Sequence, residues 1–326
     1  IRYYQSVGQI QADEEELIDQ MKPWYDNYCF ARKSIGKDPK MFNCDMVAYY
    51  LKSIIDTGDA PEQMIDRNTR TDYKKMQRLI QLDQLDGDRQ GTLHRIAQDG
   101  FIYEDVEESF PAAELTDPQR FVSLLFYYGM LTIGDTYGAR LKLVIPNNNV
   151  RLQYYEYLMR EYQNIRRINI QLLQDSFDNA SLKGEWEEMV SIITDAYRDT
   201  TSVRSLIEGE RNLQGFMNAY LSLCPYYLTA PEVELSHGYC DFFLMPDLKR
   251  FPMVRHSYIL ELKYLKSKAT KEDAAKQWQD AIRQIKGYAK GEKVRLLVND
   301  TQLHPIIIQI KGYELVRYEE LDSNNS

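Results

Sequence analysis

Gly238-Tyr239-Cys240-Asp241-Phe242-Phe243-Leu244-Met245-Pro246, followed by Ile259-Leu260-Glu261-Leu262-Lys263, is the stretch whose reading decides the fold. Both halves have the apolar and aromatic content of buried strands, and each carries an acid that a buried strand does not normally tolerate. Strand side chains alternate between faces, so Glu261 and Lys263 project one way while Leu260 and Leu262 project the other. An Asp, a Glu and a Lys therefore converge beside a sheet. That set of groups suits a hard divalent cation held against a phosphate. A solvated strand face carrying an ordinary Glu/Lys pair is the simpler reading. It is strained here, because two neighbouring strands each break their own apolar pattern with charge.

The elements around this stretch follow in a clear order. A helix is predicted over 204–222, with Leu206, Leu213, Phe216, Met217 and Tyr220 inward. Strands follow at 226–236 and 239–246, joined by a turn at His237-Gly238, and a third at 257–265. A long helix at 271–290 precedes strands at 293–299, 305–311 and 313–318. This αβββαβ order, with extra strands, means a mixed sheet flanked by helices, an α/β (α+β) architecture.

Upstream the chain reads as helical. Asp13 to Glu16 favour a helix start, and Pro23 suggests a kink or two short helices. Further helices are predicted from Asn43, over 71–84, over 88–98 and, from the Asp117-Pro118 cap, over 119–128. Period-two spacing at Leu131 and Ile133, then at Leu141, Leu143 and Ile145, with a turn over 134–138, gives a hairpin. A helix over 149–162 and a helical region over 169–197 complete the first part. Helices followed by a hairpin resemble a winged helix. Thr200-Thr201-Ser202 is the expected boundary, giving domains 1–200 and 201–326. The tail over 322–326 is expected to fray.

Composition narrows the function classes. A hydrophobic fraction of 44% and 25 tyrosines exclude a disordered chain. Cys29, Cys44, Cys224 and Cys240 form neither a disulfide scaffold nor a C-x-x-C zinc pair, and read as reduced thiols of a cytoplasmic protein. No run of about 18 apolar residues is present, and the amino terminus has no signal layout, so no membrane partner is expected. The chain opens on Ile1 rather than methionine, which reads as a fragment with sequence missing upstream. The net charge of −9 argues against nucleic acid only if it is evenly spread. It is not: residues 1–200 net −10 and residues 201–326 net +1, and over 263–295 ten basic residues face four acidic ones. Such a segment could follow a phosphate backbone, or simply be solvated.

Mg²⁺ takes oxygen ligands, often one or two carboxylates with waters and phosphate oxygens. Asp241 and Glu261 can supply the carboxylates, the carbonyl of Leu262 points toward the same space in a regular strand, and Lys263 adds positive charge for the attacking water and the phosphorus. His94, His237, His256 and His304 show no ligand spacing and read as structural or surface residues.

Gly209-Glu210 with Gly215-Phe216, the Gly238 to Pro246 hairpin strand, Ile259 to Lys263, and Gln284 with Tyr288 together resemble the PD-(D/E)XK nuclease superfamily. More narrowly, they resemble the nuclease-like domain that follows an AAA-ATPase-like domain in many bacterial proteins. Trp24-Tyr25-Asp26-Asn27-Tyr28 and the segment Leu124 to Ile133 are similar to the region after the nucleotide-binding core of those proteins. The resemblance implies a restriction-endonuclease-like fold and a metal-dependent nuclease using Mg²⁺ or Mn²⁺, with DNA as the expected polymer. It implies metal binding by Asp241 and Glu261, catalysis by Lys263, and Glu210 pointing into the site from its helix. Gln284 and Tyr288, one turn apart, would orient the lysine or a phosphate. No G-x-x-x-x-G-K-[ST] phosphate loop occurs in the sequence, so the ATP-binding core is missing from this chain and no ATPase activity is expected. The competing expectation is a non-catalytic nuclease-fold module that binds nucleic acid or a protein under control of the ATPase. A homo-oligomer is left open.

Overall fold

A computed structural model of the chain describes residues 1–37, 40–66, 89–107, 117, 120–165, 168–199, 209–235 and 238–321. Contacts divide it into two compact units, Ile1–Tyr157 and Leu158–Ser326. The expected boundary at 200–202, the helix at 71–84, Pro118, His237 and the tail at 322–326 lie outside the described residues.

The first unit begins with α1 (Arg2–Ser6), α2 (Glu14–Tyr25) and α3 (Cys44–Thr57). Asp13 and Asn43 cap α2 and α3, each accepting from two backbone N–H groups of the first turn. Helix α2 is one uninterrupted element, where Pro23 had suggested a kink or a split. The proline lies two residues from the C-terminal end, so only the last turn feels its missing N–H. Next come α4 (Arg89–Asp99), β1 (Phe101–Glu104), α5 (Phe121–Tyr127), β2 (Thr132–Tyr137), β3 (Arg140–Val144) and α6 (Asn148–Ile165), which runs across the division between the units. The predicted hairpin is β2–β3, but its turn is shorter than the sequence suggested. Tyr137 pairs with Arg140, leaving Gly138-Ala139 as the connection, with Gly138 at φ 61°. Gly134 lies within β2 beside a register shift between Ile133 and Asp135; a Cβ there would sit 2.7 Å from a Val144 methyl carbon. Strand β1 pairs with β3 and widens the hairpin to three strands in the order β1-β3-β2. Its four residues, Phe101-Ile102-Tyr103-Glu104, were too few to register as an alternating pattern.

In the second unit α7 (Ile170–Lys183) and α8 (Glu187–Asp199) replace a single helical region. They are divided at Gly184, whose φ of 78° ends α7 in the left-handed conformation. Helix α9 (Glu210–Leu221) precedes β4 (Tyr227–Leu235), β5 (Gly238–Pro246) and β6 (His256–Leu265). Then follow α10 (Lys271–Ala289), α11 (Glu292–Val298), β7 (Gln302–Lys311) and β8 (Glu314–Glu320). The strand predicted at 293–299 is helix α11. Val294 and Val298, four residues apart, are both buried, so the helical period prevails over the strand preference of valine.

The five strands form one mixed sheet in the order β4-β5-β6-β7-β8, parallel only between β6 and β7. A parallel neighbour needs a crossover, and α10 with α11 supplies it. Helix α10 starts at a capping box made by Thr270 and Asp273 and packs Trp278, Ala281, Ile285 and Tyr288 against Phe243, Ile259 and Ile307 of the sheet. On the opposite face Tyr258 donates its hydroxyl to the carbonyl of Ala180 in α7 at 2.7 Å. There Trp186 Nε1 donates to Glu320 Oε2 at 2.8 Å, Glu320 Oε1 lies 2.7 Å from His304 Nδ1, and His304 Nε2 lies 2.8 Å from His256 Nδ1. These two histidines therefore serve packing, in line with their sequence reading.

Candidate active site

The site lies where the β5–β6 ladder ends. The strands pair at Leu244 with Tyr258, Phe243 with Ile259 and Phe242 with Leu260. One residue further, the Asp241 side chain does what a ladder carbonyl would do: its Oδ2 accepts the backbone N–H of Leu262 at 2.7 Å. Its other oxygen, Oδ1, accepts from Gln214 Nε2 on α9, also at 2.7 Å. Strand β6 continues beside β7 with Glu261 opposite Ile307 and Lys263 opposite Gln309. A strand residue sends its N–H and C=O to the same edge. Since the N–H of Leu262 reaches Asp241, its carbonyl leaves on the Asp241 edge as well.

Glu261 is 2% exposed. Lys263 Nζ lies 2.6 Å from Glu261 Oε1, while Glu261 Oε2 is buried and accepts no hydrogen bond. An ionised oxygen left in that condition is costly. The protonation equilibria carry the strain. Burial, then the neighbouring Asp241 charge, pushes Glu261 up to about 7, against the opposing pull of Lys263. Asp241 is also raised, chiefly by burial, despite the hydrogen bonds from Leu262 and Gln214 and the charge of Lys263.

The other expected residues fall at different distances from this pair. Glu210 is exposed at the first position of α9, near enough for its charge to raise both acids. Tyr288 is buried on α10, and its phenol is pushed up to about 12 by burial and then by the charges of Glu261 and Asp241. Gln284, one turn earlier, is exposed. Gln214 went unnoticed in the sequence, although its position four residues after Glu210 places it on the same helix face.

Among the described residues no group of three or more His, Cys, Asp and Glu side chains forms a metal cluster. Two raised carboxylates, a buried oxygen without a donor and an adjacent carbonyl nevertheless fit a hard cation. Magnesium commonly takes one or two carboxylates and completes its shell from water and phosphate. The second unit also exposes a run of bases along its sequence, among them Lys266, Lys268, Lys271, Lys276, Lys286, Lys290 and Lys293. No helix among the described residues is long and apolar enough to cross a membrane.

Residues 208–320 match the family model of the PD-(D/E)XK nuclease superfamily. The mixed five-stranded sheet with its helices is consistent with that fold, and the match points to a nuclease-type function. No curated protein matches the chain.

Proposed function

We propose that the second unit is a Mg²⁺- or Mn²⁺-dependent phosphodiesterase that hydrolyses nucleic acid, with DNA as its substrate. The observation that carries this reading is the meeting of Asp241, Glu261 and Lys263 at the end of one ladder, with Glu261 Oε2 buried and unpartnered. Asp241, Glu261 and the carbonyl of Leu262 would hold the cation. When bound, the cation would polarise the phosphate and generate a nucleophilic water near neutral pH. Lys263 places a fixed positive charge beside the acids, where negative charge gathers on the phosphorus oxygens during hydrolysis. Glu210 and Tyr288 border the same pair, and the exposed lysines of α10 would follow the backbone of the polymer. The helical first part would serve as a platform derived from an ATPase-like module.

The test is incubation of the chain with plasmid and with single-stranded DNA, with Mg²⁺ or Mn²⁺ and with EDTA. Cleavage that needs the metal, and that falls by about two orders of magnitude or more in Lys263→Ala, is the expected result. Equal cleavage by Lys263→Ala would overturn the catalytic role. Retention of DNA without any cleavage would instead fit the non-catalytic binding module.

A further inference from the structure

Asp241 and Glu261 are held in unlike ways. Glu261 is tied on one oxygen to a cation, Lys263, and its other oxygen has no partner. Asp241 is tied on both oxygens, and both donors are neutral: the backbone N–H of Leu262 on Oδ2 and the side-chain amide of Gln214 on Oδ1. The main-chain donor belongs to the strand and comes with the fold. The amide comes from a separate element, α9, where Gln214 is half-buried between Leu213 and Gly215.

Two donors on the two oxygens of one carboxylate fix its rotation about the terminal bond, which a single donor would leave free. Each carboxylate oxygen has two acceptor positions, so each keeps one for a cation after accepting its hydrogen bond. A neutral donor orients the group without cancelling its charge. A lysine or arginine in the place of Gln214 would hold the same oxygen but compete with the metal for its charge. From this geometry, and resting on the metal-dependent reading proposed above, we infer that Gln214 is a positioning residue: it sets the angle at which Asp241 presents its carboxylate, and so sets the affinity of the site for a divalent cation.

The experiment is calorimetric titration of Mn²⁺ into the full chain without nucleic acid, for the parent, Asp241→Ala, Gln214→Met and Gln214→Asn. Thermal melting of each metal-free protein is recorded alongside. Methionine keeps the length and packing and loses the donor; asparagine keeps the amide but is one methylene too short to reach. The parent is expected to bind and Asp241→Ala to lose binding. Both Gln214 variants are expected to bind about tenfold to a hundredfold more weakly, the range found for groups that orient metal ligands, with melting temperatures close to the parent. The Mn²⁺ concentration for half-maximal cleavage should rise by the same factor, and saturating Mn²⁺ should restore the rate. A residue that merely supported the fold would lower melting and leave the metal dependence unchanged. If the parent binds and both Gln214 variants bind within about twofold of it, the inference is overturned while the metal-dependent reading stands. If the parent itself does not take up Mn²⁺, that reading falls and the inference falls with it.

Discussion

At the scale of single residues, the buried acid Glu261 sets a pH dependence whose sign is opposite to that of an ordinary salt-bridged carboxylate. Its value rises from 4.5 to about 7 on folding, because burial and the Asp241 charge outweigh Lys263. An acid raised in this way binds its proton more tightly in the folded state. Its contribution to stability is therefore fully present below about pH 4.5 and is lost as pH rises through about 7. Denaturant melts of the metal-free chain should thus show stability falling between those limits, and Glu261→Gln should flatten that fall. Saturating Mn²⁺ should flatten it too, since a cation favours the ionised form. The two acids and Lys263 were legible in the sequence because charge inside an apolar strand violates a local rule. The two donors that tie down Asp241 were less so. The Leu262 N–H depends on where the β5–β6 ladder stops, and Gln214 looks like any polar residue on an amphipathic helix until Glu210 is placed.

Among the elements, the junction of α7 and α8 is tightly constrained. Gly184 has φ 78°, and a Cβ there would lie 2.9 Å from His256 Cε1. Whether the histidine could give way depends on what holds it. It is hydrogen-bonded to His304, which is hydrogen-bonded to Glu320, which in turn is held by Trp186, the residue just before α8. The ring has little freedom to retreat. Gly184→Ala should therefore destabilise the second unit by more than the roughly 1 kcal/mol expected of conformation alone. Gly58→Ala, at φ 86° with open space around it, should show only the conformational part. Comparison of urea midpoints would check both. The long helices and the three strands around the site were readable from periodicity and from capping residues such as Asn43. Helix α11 was not: the two valines of Glu292-Lys293-Val294-Arg295-Leu296-Leu297-Val298 suggest a strand, and it is their burial in the core four residues apart that decides for a helix. The missed strand β1 is held by pairing with β3, a long-range term that no short window contains.

For the whole molecule, charge is divided along the chain, with residues 1–200 net −10 and residues 201–326 net +1. The DNA binding proposed above, if it runs through the exposed bases of α10, should weaken steeply with salt, because each neutralised phosphate releases counterions. Lys286→Ala combined with Lys290→Ala should lower the slope of log affinity against log salt by about two, read by fluorescence anisotropy in EDTA. The parallel pairing of β6 with β7 has a consequence in time rather than in space. Hairpins such as β4–β5 close locally and quickly, but β6 cannot gain its second neighbour until the whole α10–α11 crossover has been threaded and β7 has arrived. Glu261 and Lys263 lie on that central strand. Refolding should therefore bury the charged pair late, and pulsed hydrogen exchange in which the β6 amides are protected no earlier than those of β7 is the expected result.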